Sequence, residues 1–240
     1  MPFTASHIAA ILPFWKQNKR YISQTGLIAG AIVPDFEYFF RMSRVSDVSH
    51  TWWGFLLFGL PVGLMLTYLW HNVARDPLIK NLPYFFQKRW RVYTGWSWER
   101  HFKKNWKPIL LSLALGCLTH FLWDSFTHRT GFVVEAIPFL SEEAFANFAW
   151  YRLLQHGSTL LGATILVYAI SKMPTEDKHI KPIIGRYWLS VFLITLIVFS
   201  ARMLAGNIQP AIDFGTTIIS LLSAGLIGLL LAPSFLPSKK

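Results

Sequence analysis

Residues 108–128 read Pro108-Ile-Leu-Leu-Ser-Leu-Ala-Leu-Gly-Cys-Leu-Thr-His120-Phe-Leu-Trp-Asp124-Ser-Phe-Thr-His128. No side chain from Pro108 to Trp123 carries a full charge, and the run approaches the length of about 20 residues that crosses a bilayer as a helix. Four further stretches read the same way: Trp52 to Trp70, Ser158 to Ile170, Tyr187 to Leu204 and Phe214 to Leu231, with Ser158 to Ile170 the shortest. Trp52, Trp53, Trp70, Trp123, Tyr187 and Trp188 stand at the ends of these runs, where amphipathic rings anchor a helix at headgroup level. The expectation is an all-α, polytopic membrane bundle of about five transmembrane helices.

Composition points the same way. Of 240 residues, 53% are hydrophobic and only 15% charged, whereas soluble domains carry roughly 25% charged residues. A formal charge of +11 could indicate nucleic acid, but Lys and Arg fall mainly in the short segments between apolar runs. Anionic lipid is therefore the expected partner, and nucleic acid is not. Cys117 is the single cysteine, which excludes an internal disulfide and a thiolate zinc cluster. Residues Met1 to Ala10 lack the charged start and continuous apolar core of a cleavable signal peptide, so insertion is expected to rely on the internal helices.

Ahead of the first span, Thr4 and Ser6 are candidate N-caps for a short helix bearing Ile8, Ile11, Leu12 and Trp15 on one side. A second apolar segment, Gly26 to Val33, stops at Pro34. Neither can cross, so both are expected to pack against the bundle or lie at its surface. The link from His71 to Lys107 mixes Trp90, Trp96, Trp98 and Trp106 with nine Lys and Arg, which reads as an interfacial helix on anionic lipid. If all five spans cross, fifteen of the 23 Lys and Arg share one side with this link and Lys240. The positive-inside rule places that side in the cytoplasm.

Under this topology His7, His50, His120, His128 and His156 fall at one membrane face. His71, His101 and His179 fall at the other and read as ordinary loop or interface residues. The sharpest element is His120, Asp124 and His128. Steps of four residues drift only about 40° around a helix and rise about 6 Å, so the three form one polar stripe on an otherwise apolar helix. Imidazole nitrogen and carboxylate oxygen suit zinc or another divalent first-row metal, and a carboxylate between two histidines is placed to bridge two ions. The competing reading is a hydrogen-bonded cluster that glues helices together, but intramembrane ionisable groups are costly and usually functional. Asp35 follows Pro34, a setting that by itself describes a turn. Arg202, near the end of the fourth span, reads as a phosphate ligand or, preferably, as the ion-pair partner of Asp213.

The opening Met1-Pro-Phe-Thr with Ser6-His7, then Pro34-Asp35-Phe36-Glu37-Tyr38, His50, the His-x3-Asp-x3-His stretch and Gln155-His156-Gly157-Ser158 resemble a bacterial membrane family, the domain of unknown function 4184 family. The resemblance runs from Met1 to about Gly162. It implies a division into a metal-site helical membrane domain, residues 1–162, and C-terminal transmembrane helices of the same bundle, residues 163–240. The order of ligands is also similar to that of membrane-bound metal-dependent hydrolases and, more distantly, of the zinc-dependent phospholipase C and single-strand nuclease group. That likeness implies Asp35, His50, His120 and Asp124 on one metal, His7 and Asp124 on a second, and His128 and His156 on a third. Two departures stand against a third ion: Leu160 occupies the position of the expected carboxylate, and Met1-Pro2 replaces a free mature N-terminus.

The function this implies is a membrane-embedded metal-dependent hydrolase of the bacterial inner membrane, acting on a phosphoester of a lipid or lipid-linked substrate. Two zinc ions would be bound, or three, and Asp35 would orient or deprotonate the attacking water. The alternative is a non-catalytic, metal-stabilised membrane scaffold or regulatory protein. A transporter would show matching broken helices in two halves, and no such symmetry is present in the sequence.

Overall fold

The structure is a computed structural model that describes residues 3–15, 20–176, 184–206, 208–210 and 212–236. Met1-Pro2, His179, Ser238 and Lys240 lie outside the described residues. In chain order the helices are α1 (Thr4–Phe14), α2 (Gln24–Ile32), α3 (Phe36–Arg41), α4 (Trp52–Asn81), α5 (Tyr84–Trp90), α6 (Trp98–Thr127), α7 (Phe132–Ala136), α8 (Trp150–Ser171), α9 (Ile184–Ala205) and α10 (Phe214–Leu231). A small antiparallel hairpin, β1 (Glu143–Phe145) and β2 (Phe148–Ala149), precedes α8. Ala146 and Asn147 turn it with φ of 49° and 65°, the left-handed pair that a two-residue hairpin loop requires. Five helices, α4, α6, α8, α9 and α10, are long and apolar enough to cross a membrane, so the chain is an all-α integral membrane protein.

The spans run further than the apolar stretches alone. Helix α8 begins at Trp150, so His156 lies inside it and does not precede it. Helix α4 continues past Trp70 to Asn81. It can do so because the buried Arg75 is matched: its guanidinium contacts Asp76, bonds His71 Nδ1 at 3.1 Å and donates to the Trp96 carbonyl at 3.0 Å. His71 is thus a buried helical residue stacked on Trp98, with ring centroids 4.3 Å apart, and not a loop residue. His101 lies in the first turn of α6, its ring 5.2 Å from that of Trp96. The 71–107 link therefore consists of the end of α4, the short α5 and the start of α6. Helix α6 is kinked at Asn105, where φ is −128° and ψ 21°, three residues before Pro108. A proline ring clashes with the preceding turn and removes a backbone donor, which accounts for the break there.

The chain divides into two compact units, each assembled from three separated stretches. The first comprises Met1–Asp35, Val48–Met65 and Phe102–Met173. Within it Ser23 caps α2 by accepting the Gly26 N–H at 3.2 Å, and its own N–H donates to Ser112 Oγ at 2.7 Å. Gly26 and Gly30 form a G-x-x-x-G face, the arrangement that lets apolar helices approach backbone to backbone. A Cβ at Gly30 would run into the Leu113 carbonyl of α6, and one at Gly116 into the Leu27 carbonyl of α2. Helix α1 packs Ile11 against Leu27 and Ala31. It also contacts α8, where Ser6 Oγ donates to the Thr159 carbonyl at 3.1 Å.

The second unit comprises Phe36–Asp47, Leu66–His101 and Pro174–Lys240. Helices α9 and α10 pair through Gly228, where a Cβ would press on the Val191 carbonyl and the Thr195 hydroxyl. Tyr187, Val191 and Ala232 are buried with Leu78 and Leu229, and Trp188 Nε1 donates to the Asn81 carbonyl at 2.8 Å. The buried Glu37 carboxylate folds the segment after α3 by accepting from Arg41 Nε at 2.9 Å, Ser46 Oγ at 3.2 Å and the Asp47 N–H at 3.1 Å. The Met42 carbonyl accepts from Ser220 Oγ at 3.0 Å and Arg202 Nη2 at 3.4 Å. Among the described residues no ion pair joins Arg202 to Asp213, because the backbone acceptor at Met42 takes the guanidinium instead.

Candidate metal centre

Close packing of α2 on α6 sets the register of the site. His120 sits one turn beyond Gly116, and its Nδ1 bonds the Ala31 carbonyl at 2.8 Å. A carbonyl only accepts, so Nδ1 carries the proton and Nε2 presents its lone pair inward. Four residues past Ala31, Pro34 has ended α2 and the Asp35 carboxylate faces the same point: its Oδ1 is 3.6 Å from His120 Nε2. His50, just before the Thr51 cap of α4, brings Nε2 to 3.8 Å from Asp35 Oδ1 and 3.6 Å from Asp124 Oδ2. Asp124 Oδ2 lies 3.2 Å from His120 Nε2. The donor atoms of Asp35, His50, His120 and Asp124 all fall within 4.8 Å of one another.

These distances fit a metal better than a hydrogen-bonded cluster. Donors at the corners of a tetrahedral zinc site with legs of about 2.0–2.2 Å stand roughly 3.3–3.6 Å apart. Hydrogen-bonded atoms stand about 2.7–3.2 Å apart. Of the four separations, two of 3.6 Å match the first spacing and one of 3.8 Å lies just beyond it, while the 3.2 Å between His120 and Asp124 is also a hydrogen-bond length.

Asp124 has a second set of neighbours. Its Oδ1 lies 3.4 Å from His7 Nε2 and 3.3 Å from His128 Nδ1. The His7 ring stacks on His120 with centroids 3.9 Å apart. One carboxylate is thus shared between two groups of imidazoles, one oxygen facing each. His7, Asp35 and His120 are fully buried, whereas the side chains of His50 and His128 are 25% and 26% exposed and form the mouth of the site.

The buried polar atoms make the same point energetically. Both nitrogens of His7, both oxygens of Asp35 and of Asp124, His120 Nε2 and His128 Nε2 are buried without a hydrogen-bond partner. A buried unsatisfied polar group costs about 1–3 kcal/mol. These atoms face one another only as His–Asp pairs at 3.2–3.8 Å, and a cation held among them could satisfy them. Burial, followed by the nearby His120, holds the His7 imidazole far below its ordinary value, at about 3. Burial likewise lowers His128 and raises the Asp35 carboxyl. Burial thus favours the neutral imidazole at His7 and at His128, whose Nδ1 is turned to the Asp124 carbonyl at 3.2 Å so that Nε2 keeps the lone pair, and it disfavours the charged form of Asp35 despite the nearby His120.

The structure thus brings six of the seven sequence candidates together: His7, Asp35, His50, His120, Asp124 and His128. His156 is exposed on α8 with its ring 6.1 Å from that of Phe148 in β2. Among the described residues no hydrogen bond, ion pair or ring contact joins it to the cluster, so the third ion finds neither its second histidine nor the carboxylate missing at Leu160. Two supports escaped the sequence reading. The Ala31 carbonyl is a backbone atom with no sequence signal, whereas the Gly26–Gly30 pair carries one in its G-x-x-x-G spacing within an apolar segment.

Fold and donor set define a multi-pass membrane protein with a buried Asp/His cluster that could hold a metal ion. The family model for the domain of unknown function DUF4184 matches residues 1–234, and the chain belongs to that family. No curated protein and no solved structure matches the chain.

Proposed function

We propose that the protein is a membrane-embedded metal-dependent hydrolase acting on a phosphoester of a lipid or lipid-linked substrate. The observation that carries this reading is the division of the Asp124 carboxylate between His120 with His50 on one side and His7 with His128 on the other. A purely structural ion needs four donors and closes its site. Here six side chains converge, and two of them reach solvent.

Two divalent ions, zinc the best match to imidazole and carboxylate, would supply charge neutralisation for a phosphoryl group and a water of lowered pKa. His7, His50, His120, His128 and Asp124 would hold the ions, and the Ala31 carbonyl keeps the His120 lone pair directed inward. Asp35 presents Oδ1 to His50 and His120, so its Oδ2 is our candidate to orient the attacking water and hold its proton. The substrate enters past His50 and His128. We place the protein in the bacterial cytoplasmic membrane, with the basic, Trp-rich 71–107 stretch against anionic lipid on the cytoplasmic side and the site at the other face.

The test screens purified protein against phospholipids and model phosphodiesters across added zinc and manganese, then repeats the screen with Asp124→Asn. Metal content and turnover falling together supports the hydrolase. Full metal occupancy with no hydrolysis of any phosphoester assigns the cluster to the scaffold reading.

A further inference from the structure

Helix α4 begins immediately beyond the mouth of the site, with Trp52 and Trp53 exposed at 81% and 74%. Trp52, Trp53, Phe55 and Leu56 line an apolar notch of about 350 Å³. The notch is not isolated from the donor cluster. Phe55 meets Phe121 with ring centroids 6.4 Å apart, and Phe121 in turn lies 6.1 Å from the His50 ring and 6.0 Å from the His120 ring. An unbroken run of rings therefore leads from the outer surface of a membrane span to two residues of the candidate metal centre. At Phe55 the helix also changes from α to π form, as far as Gly59. Such single-turn widenings recur at functional sites, and the same helix carries a second one at Trp70–Ala74.

We propose that this notch is an acyl-chain subsite: one chain of a bilayer lipid lies on Trp52, Trp53, Phe55 and Leu56, and its headgroup reaches His50 laterally from the membrane. The headgroup end rests on the metal-centre reading above; the notch itself does not. Three observations select a membrane lipid over a soluble ligand. The notch belongs to a helix long and apolar enough to span the bilayer, its lining offers no charged group, and the exposed rings at the start of α4 would otherwise face water or lipid with nothing packed on them. A chain already in hydrocarbon gains little from moving into an apolar notch, so the subsite acts by position and is best read by position.

The experiment uses the full chain in nanodiscs of phosphatidylglycerol and phosphatidylethanolamine containing a trace of phosphatidylglycerol with a mid-chain diazirine. After photolysis, peptide mass spectrometry maps the labelled residues, and metal content is measured on the same samples. The expected result is labelling at residues 52–56 several-fold above that on the exposed Leu160, Val167 and Ile197 of other spans. Leu56→Trp, which fills the notch, should abolish that excess, and Leu56→Ala, which enlarges it, should preserve it. Neither variant should change metal content. Even labelling along all spans, or an excess that survives Leu56→Trp, overturns the subsite. A localised excess in protein that binds no metal keeps the subsite and removes the hydrolase reading, so the two fail separately.

Discussion

His120 Nε2 lies 3.2 Å from Asp124 Oδ2, one helical turn along α6, and the distance depends on a third partner, since the Ala31 carbonyl takes the other His120 nitrogen at 2.8 Å. Asp124→Asn keeps the shape and removes the charge shared by both imidazole groups. Losing a ligand exceeds the loss of an outer partner, which typically lowers metal affinity about 10–100-fold. We expect at least that fall in zinc affinity, read by competition with a chromogenic chelator. Unchanged affinity would remove Asp124 from the centre.

Asp35→Asn separates binding from chemistry. The remaining donors, His50, His120 and Asp124, still surround the point that Asp35 Oδ1 faces, while Oδ2 loses its basicity. Turnover should fall about 10²–10⁴-fold, the usual worth of a positioned general base, with a much smaller loss of metal. Parallel losses would make Asp35 a ligand and nothing more.

Chelation should destabilise the protein, because it leaves the eight buried donor atoms unsatisfied. Free metal at about 100 times its dissociation constant stabilises the folded state by about 2.7 kcal/mol. Thermal unfolding in detergent should show a Tm that rises with added zinc in the wild type and stays flat in Asp124→Asn. A flat wild-type response would return the cluster to hydrogen-bonded glue.

His156→Ala should leave metal content unchanged, whereas His128→Ala should lower it, since only His128 stands within reach of Asp124, at 3.3 Å. Elemental analysis of both variants decides between a two-ion and a three-ion centre. Loss of one equivalent in His156→Ala would reinstate the third ion.

Gly30→Val should disturb the site without touching it. The added Cβ meets the Leu113 carbonyl, and overpacking typically costs about 1–3 kcal/mol. Both Tm and metal affinity should fall, because the same helix contact holds Ala31 against His120. Gly225→Ala, on a glycine with nothing within 4 Å, should change neither.

What the sequence determined by itself is local. Five apolar runs give the five spans, because hydrocarbon demands length and satisfied backbone bonds whatever the neighbours are. The four-residue spacing of His120, Asp124 and His128 gives a stripe on one helix face, because helical periodicity is a property of the chain alone. The ends of the spans were less legible. Polar residues such as Arg75 extend a helix only where distant groups, here the Trp96 carbonyl, compensate them. Tertiary structure alone decided that His7, Asp35 and His50 arrive at Asp124 and that His156 does not. Helix α2 must press its glycine face onto α6, and α1 must lie across both Leu27 and Thr159, before those residues share a point. Such approaches depend on the shapes of two surfaces at once, and a single helix's residue pattern specifies only one of them.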